Sequence, residues 1–124
     1  MTLADWAVAL ADVMPFVTEI RRRLHRHPEV GGEEVWTRAL LEETLHGFGL
    51  ETQRFEDTCC IMTTIEGTRP GKCVAIRADI DGLPIQEETG LPFASEIPGR
   101  MHACGHDAHM ALALGTAKYL ASHR

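Results

Sequence analysis

The sequence predicts an α/β fold, and three observations carry that expectation. Apolar residues recur at helical spacing between Thr2 and His27 and again between Glu33 and Phe48. From Leu50 the pattern changes to alternation and to runs of β-branched residues, which is strand chemistry. The segment MALALGTAKYL near the C-terminus is apolar nearly all round, as a helix buried against a sheet requires. The 124 residues suit one domain with a modest core.

Thr2, followed three positions later by Asp5, has the spacing of a capping box and predicts a helix start. Trp6, Leu10 and Val13 continue at helical spacing, and Val17, Ile20 and Leu24 extend the stripe to His27, where Pro28 ends it. Pro15 interrupts the pattern and predicts a kink or a fresh helix with Pro15 in its first turn. A second helix is expected from about Glu33 to Phe48, with Glu33 and Glu34 in its first turn. Trp36, Leu40, Leu41, Leu45 and Phe48 form its buried face, and Gly49 caps its C-terminus.

LETQRF, CIMTTIE and CVAIRA then read as strands. GTRPG between the last two is turn chemistry and predicts a hairpin, with Cys73–Ile76 as an interior strand apolar on both faces. Residues 82–105 carry Pro84, Pro92 and Pro98 with Gly82, Gly90, Gly99 and Gly105, a long irregular connection of the kind that usually serves function. A last helix is expected from about His106 to Ser122.

The net charge of −6 argues against nucleic acid or an anionic membrane as partner, because no basic stripe is available to neutralise phosphates. Arg21-Arg22-Arg23 is the one basic run and reads as a solvated helix face. No stretch reaches the roughly 20 apolar residues of a membrane span, and the N-terminal segment lacks the basic leader of a signal peptide. Of the cysteines Cys59, Cys60, Cys73 and Cys104, two are adjacent. That is a poor disulfide framework, and it points to a reducing, cytoplasmic setting.

The chemistry concentrates in HACGHDAH, residues 102–109. Cys104 and His106 are separated by Gly105, which leaves the backbone free to turn both side chains toward one point. Both are metal-donor types, and one residue of spacing needs a loop just before a helix, since positions i and i+2 diverge on the helix itself. Taken singly, Cys104 would be an inert thiol and His106 a hydrogen-bonded core histidine; together, beside Asp107, they favour a metal. Tight sites need more ligands, and His102, His109, Asp79 and Asp81 are the candidates. Asp79 and Asp81 close an apolar run, where α/β sheets place ligands, although a loop-capping role suits at least one of them. His25 and His27 flank a helix end and are accounted for by its carbonyls and dipole.

Three blocks, RRRLHRHPEVGGEE, VAIRADIDGLPIQEETGLPFAS and GRMHACGHDAHMALALGTAK, resemble in order and spacing the N-terminal portion of a metal-dependent amidohydrolase family. That family contains hippurate hydrolases, N-acyl-amino-acid amidohydrolases and auxin-conjugate hydrolases, within a superfamily of co-catalytic metallopeptidases. The resemblance implies a mixed-sheet, zinc-peptidase-like catalytic domain with helices packed on the sheet, interrupted by a lid or dimerisation domain that is absent here. It implies one or two divalent cations (zinc, manganese or cobalt), with Cys104 and His106 as ligands. Asp81 would orient a ligating histidine, and Asp79 would stand where wider relatives place a metal-binding histidine. The implied reaction is hydrolysis of an N-acyl-amino acid by a metal-activated water, with a homo-oligomer as the form of the complete enzyme. Gly82 stands where the family has alanine, a small-for-small change expected to have little consequence.

The family's general-base glutamate is expected beyond Arg124, and nothing places Glu33, Glu34, Glu87 or Glu88 as its substitute. The expectation is therefore an amidohydrolase in truncated form, inactive as the isolated 124 residues. The alternatives are a non-catalytic metal-binding or interaction module, or an inactive remnant of such an enzyme.

Overall fold

Thr2 and Asp5 form the capping box their spacing predicts. In the computed structural model, which describes residues 2–124, the Asp5 N–H donates to Thr2 Oγ1 at 3.2 Å and the Thr2 N–H donates to Asp5 Oδ2 at 2.7 Å. Helix α1 (Leu3–Arg26) follows and runs unbroken through Pro15, with no second start there. Pro15 and Ala11 both lie on the exposed face, so the carbonyl that loses its partner at Pro15 can turn to water. Beyond it Val17, Ile20 and Leu24 are buried, and their packing holds the second half of the helix. Upstream, Trp6 and Leu10 remain about half exposed, so only the later part of the predicted stripe reaches the core.

Helix α2 (Val35–Gly47) begins two residues later than predicted, and Glu33 and Glu34 lie outside it. The negative charge at its N-terminus comes from Glu29, whose two carboxylate oxygens accept the N–H groups of Trp36 at 3.1 Å and Thr37 at 2.7 Å. Its C-terminus closes as predicted. Gly49, at φ +73°, donates to His46 O, and Leu50 donates to Leu45 O, the paired bonds of a Schellman motif. Leu40, Leu41 and Leu45 are buried, with Trp36 and Phe48 packed at the edge of the core.

The sheet departs from expectation. Strands β1 (Gln53–Arg54) and β2 (Ile61–Met62) pair antiparallel, Gln53 opposite Met62 and Arg54 opposite Ile61. The predicted hairpin across GTRPG does not form, and Cys73–Ile76 is not a strand among the described residues. Val74 is 85% and Ile76 63% exposed. An interior strand needs a ladder partner, and no described segment offers one to this run.

Helix α3 (His106–Ser122) keeps its predicted bounds but packs against α1 and α2 instead of a sheet. Met110, Ala111, Leu114 and Ala117 are buried, and Gly115 brings α3 against Val17 of α1 so closely that a Cβ there would overlap the valine side chain. Leu112 on the opposite face is exposed. The connection 82–105 is irregular yet pinned at several points. Gly82 N–H donates to Glu29 O at 2.7 Å, Leu83 and Met101 exchange backbone bonds at 2.8 and 2.9 Å, and Glu96 N–H donates to Arg26 O. No helix among the described residues is long and apolar enough to cross a membrane.

Candidate functional site

Gly105 carries the turn into α3 at φ +92°, in the left-handed region that favours glycine, and its carbonyl accepts the N–H groups of Ala108 and His109. This turn presents Cys104 exposed on one side and His106 partly buried on the other. Nδ1 of His106 lies 2.9 Å from Asp81 Oδ1 and 3.0 Å from the Asp81 carbonyl oxygen. Both neighbours are acceptors only, so Nδ1 is the donor, and in the neutral ring Nε2 holds the lone pair. Nε2 faces Asp79 Oδ2 at 3.8 Å, too far for a hydrogen bond. Asp79 is held from behind by Arg77. The two aspartates thus address opposite nitrogens of one imidazole, although the run before them is not a strand.

These donors suit a divalent cation. Ligands about 2.0–2.3 Å from one metal lie roughly 3–4 Å from each other, and a histidine whose Nδ1–H is given to a carboxylate has the usual orientation of a metal-binding imidazole. Cys104, two residues earlier in the chain, adds an exposed thiol. The set is incomplete, because no three His, Cys, Asp or Glu side chains among the described residues converge closely enough to hold an ion.

Of the remaining candidates, His109 is exposed, its ring 6.0 Å from that of His106. His102 is only 3% exposed, and neither ring nitrogen has a hydrogen-bond partner among the described residues. Burial holds its pKa below the ordinary histidine value, with the neighbouring Asp107 carboxylate opposing that effect.

Two histidines are more than helix-end groups. His27 stacks on Trp36 with ring centroids 4.5 Å apart. His25, 4% exposed, places Nδ1 2.8 Å from Asp107 Oδ2 and Nε2 3.2 Å from Glu87 Oε1. Arg21 also leaves the solvated face assigned to its run, because its Nε donates to the same Asp107 oxygen at 3.1 Å. Burial by itself would raise the Glu87 pKa, but bonds from Thr89, the Ser95 N–H and His25 outweigh it and hold the carboxyl below the usual glutamate range. Sequence reasoning missed this network. Its one local signal is that His25 follows Leu24 and Arg21 on the face that α1 buries, where a polar ring needs partners.

Residues 75–124, which include Asp79, Asp81, Cys104 and His106, match the family model for peptidase family M20/M25/M40. The chain is 52% identical over 125 residues to an N-acyl-L-amino acid amidohydrolase of Geobacillus stearothermophilus, a match covering 100% of this chain and 34% of that protein. Its fold superposes with a TM-score of 0.85 on the crystal structure of the Bacillus subtilis YXEP protein, a dinuclear metal binding peptidase from the M20 family, at 42% identity. The chain is thus similar to the N-terminal portion of M20-family proteins. An N-acetyldiaminopimelate deacetylase of Geobacillus sp. (strain WCH70) is 46% identical over 117 residues, 92% of this chain and 30% of that protein. The superposition on YXEP covers 92% of this chain and 32% of that one. The chain therefore spans about a third of the length of the curated relatives it matches. Within that portion the family's helices are present with a small sheet.

Proposed function

We propose that this M20 portion carries half of a divalent-metal centre for hydrolysing the amide bond of N-acyl-amino acids, hippurate-like compounds among them. The observation that carries the proposal is His106, whose Nδ1 is engaged by Asp81 while Nε2 is turned toward Asp79 at 3.8 Å. In this reading Cys104 and His106 are metal ligands, Asp81 fixes the ring of His106, and Asp79 lines the cation's other side. A bound divalent cation supplies Lewis acidity toward water and the amide carbonyl.

The chain's own carboxylates set what it can do alone. Glu29 is committed to the head of α2, Glu33 to Arg100, Glu42 to Arg54 and Glu87 to His25. None of these four is free to move a proton for a substrate beside His106. In line with the family resemblance, the general base and the remaining ligands then belong to polypeptide outside residues 1–124. The chain is then the first part of a catalytic domain, and the lid or dimerisation domain lies elsewhere. The same commitments favour a second reading, a module that binds metal without turnover.

Cobalt(II) titration tests the centre. The expected result is a thiolate-to-cobalt absorption band that disappears in Cys104→Ser, with affinity reduced at least tenfold in His106→Ala. Binding undiminished in the double variant would overturn the proposal. Assays with N-acetyl- and N-benzoyl-amino acids, on this chain and on a longer polypeptide supplying the rest of the domain, separate the two readings. Turnover by the longer form alone supports the enzyme.

A further inference from the structure

The most heavily built polar structure in the chain lies beside the candidate metal centre, not in it. Asp107, fully buried, occupies the first turn of α3 next to His106. Its Oδ2 receives His25 from one direction and Arg21 from another, across 82 and 86 positions of sequence. The far side of the His25 ring reaches Glu87, which in turn accepts the Ser95 N–H at 2.6 Å and the Thr89 hydroxyl. Phe93 packs edge-on against the same ring, with centroids 5.5 Å apart.

One imidazole thus joins three segments, the end of α1, the head of α3 and the connection 82–105. These segments bear on where His106 sits relative to Asp81. Asp81 immediately precedes Gly82, which is bonded to the Glu29 carbonyl just past the end of α1, while His106 rides on the turn that Asp107 anchors. Packing alone does not explain the arrangement, because two buried carboxylates are costly unless they are paired, and here Asp107 takes both its partners on Oδ2 while Oδ1 has none among the described residues.

We propose that His25 is a positioning residue for His106. By bridging Asp107 to Glu87 it fixes the first turn of α3, and with it the distance from His106 Nδ1 to Asp81 Oδ1. The consequence for metal affinity rests on the function proposed above; the positional effect does not.

Two readouts on the full 124-residue chain keep those apart. In the metal-free protein, nitrogen–proton correlation spectra report the His106 Nδ1–H, whose exchange with solvent is slowed by Asp81. In His25→Gln the amide can reach one carboxylate but cannot span two, and this exchange is expected to quicken at least tenfold. Cobalt(II) affinity is expected to fall about 10-fold or more, the usual cost of loosening the group behind a ligating histidine, with a shifted thiolate band. Arg21→Gln, which removes the half-exposed arm of the network, serves if His25→Gln does not fold, and a threefold effect in the same direction is expected from it. Arg54→Ala, remote from the turn, controls for general loss of stability and should leave both readouts unchanged. A folded His25→Gln or Arg21→Gln chain with wild-type exchange at His106 would overturn the inference, and so would an equal response in Arg54→Ala. If the wild type takes no cobalt while His25→Gln still quickens the exchange, the positioning stands and the metal proposal fails.

Discussion

Asp81 and His106 meet across 25 residues of chain, through both the carboxylate and the carbonyl of the aspartate. Two acceptors on one nitrogen fix the ring's rotation as well as its tautomer, so Asp81 does more than add a hydrogen bond. Asp81→Ala leaves the carbonyl contact and removes the carboxylate. Its side chain is 38% exposed, so the fold is expected to survive with a stability change within about 1 kcal/mol. Cobalt(II) affinity is expected to fall about 10- to 100-fold. Calorimetric titration beside a thermal melt measures both, and equal affinity in the variant would remove Asp81 from the site.

Gly82→Ala tests how tightly the backbone behind Asp81 is packed. The family resemblance implies alanine there, and size alone suggested an innocuous exchange. The structure corrects this, because an added Cβ would stand 2.9 Å from Pro28 Cβ and 3.3 Å from the Met101 carbonyl oxygen. Neither neighbour is a flexible chain end, so relief requires a backbone shift costing about 1–3 kcal/mol. Urea unfolding should show a lower midpoint with an unchanged slope. A variant as stable as the wild type would mean that Pro28 and the Met101 backbone give way freely.

What the sequence revealed was what neighbours in sequence decide. The Thr2–Asp5 box, the Gly49 cap and the Gly105 turn into α3 each involve groups a few positions apart, and each formed where its residues predicted. The placing of Cys104 and His106 on either side of that turn was legible for the same reason. The partners of His25 lie 62 and 82 positions away, so its local setting at a helix end suggested carbonyls where two buried carboxylates stand. Glu29 likewise reaches past Glu33 and Glu34, the nearer acids, to serve α2. Val74 and Ile76 show a different limit. Their apolarity states that something should cover them, and nothing in the run itself says what.

Glu42 and Arg54 join α2 to β1 through two parallel bonds of 2.6 Å. The guanidinium holds the Glu42 carboxyl below the usual glutamate range, the paired hydrogen bonds outweighing the opposing effect of burial. A carboxyl with a depressed folded pKa adds stability above its unfolded value, and that stability is lost as pH falls through the folded one. Arg54 is 63% exposed, so solvent reduces the pair's worth, and Arg54→Ala is expected to cost about 1 kcal/mol at pH 7. The cost should shrink toward zero well below the ordinary glutamate pKa of 4.5, once Glu42 is protonated. Chemical denaturation across that range checks it, and a penalty independent of pH would assign the effect to lost packing of the arginine stem.

His102 gives the opposite experiment, a substitution expected to help. Its ring is buried and both nitrogens lack partners among the described residues, so folding strips water from two polar atoms without return. Burial, the dominant influence, lowers its pKa in the folded chain, while the unfolded chain protonates near the ordinary value of 6.5. Below that pH the unfolded state binds the extra proton, so stability falls as pH drops from 6.5 toward the folded pKa, by at most about 1.4 kcal/mol per pH unit from this group. His102→Leu removes both penalties at the price of some shape mismatch. In metal-free buffer the variant is expected to match the wild type within about 1 kcal/mol at pH 8 and to exceed it increasingly between pH 6.5 and 5. Urea unfolding at the two ends of that window isolates the histidine, since every other titrating group is common to both proteins. Parallel pH profiles would show that an ordered water or a neighbouring group satisfies the ring.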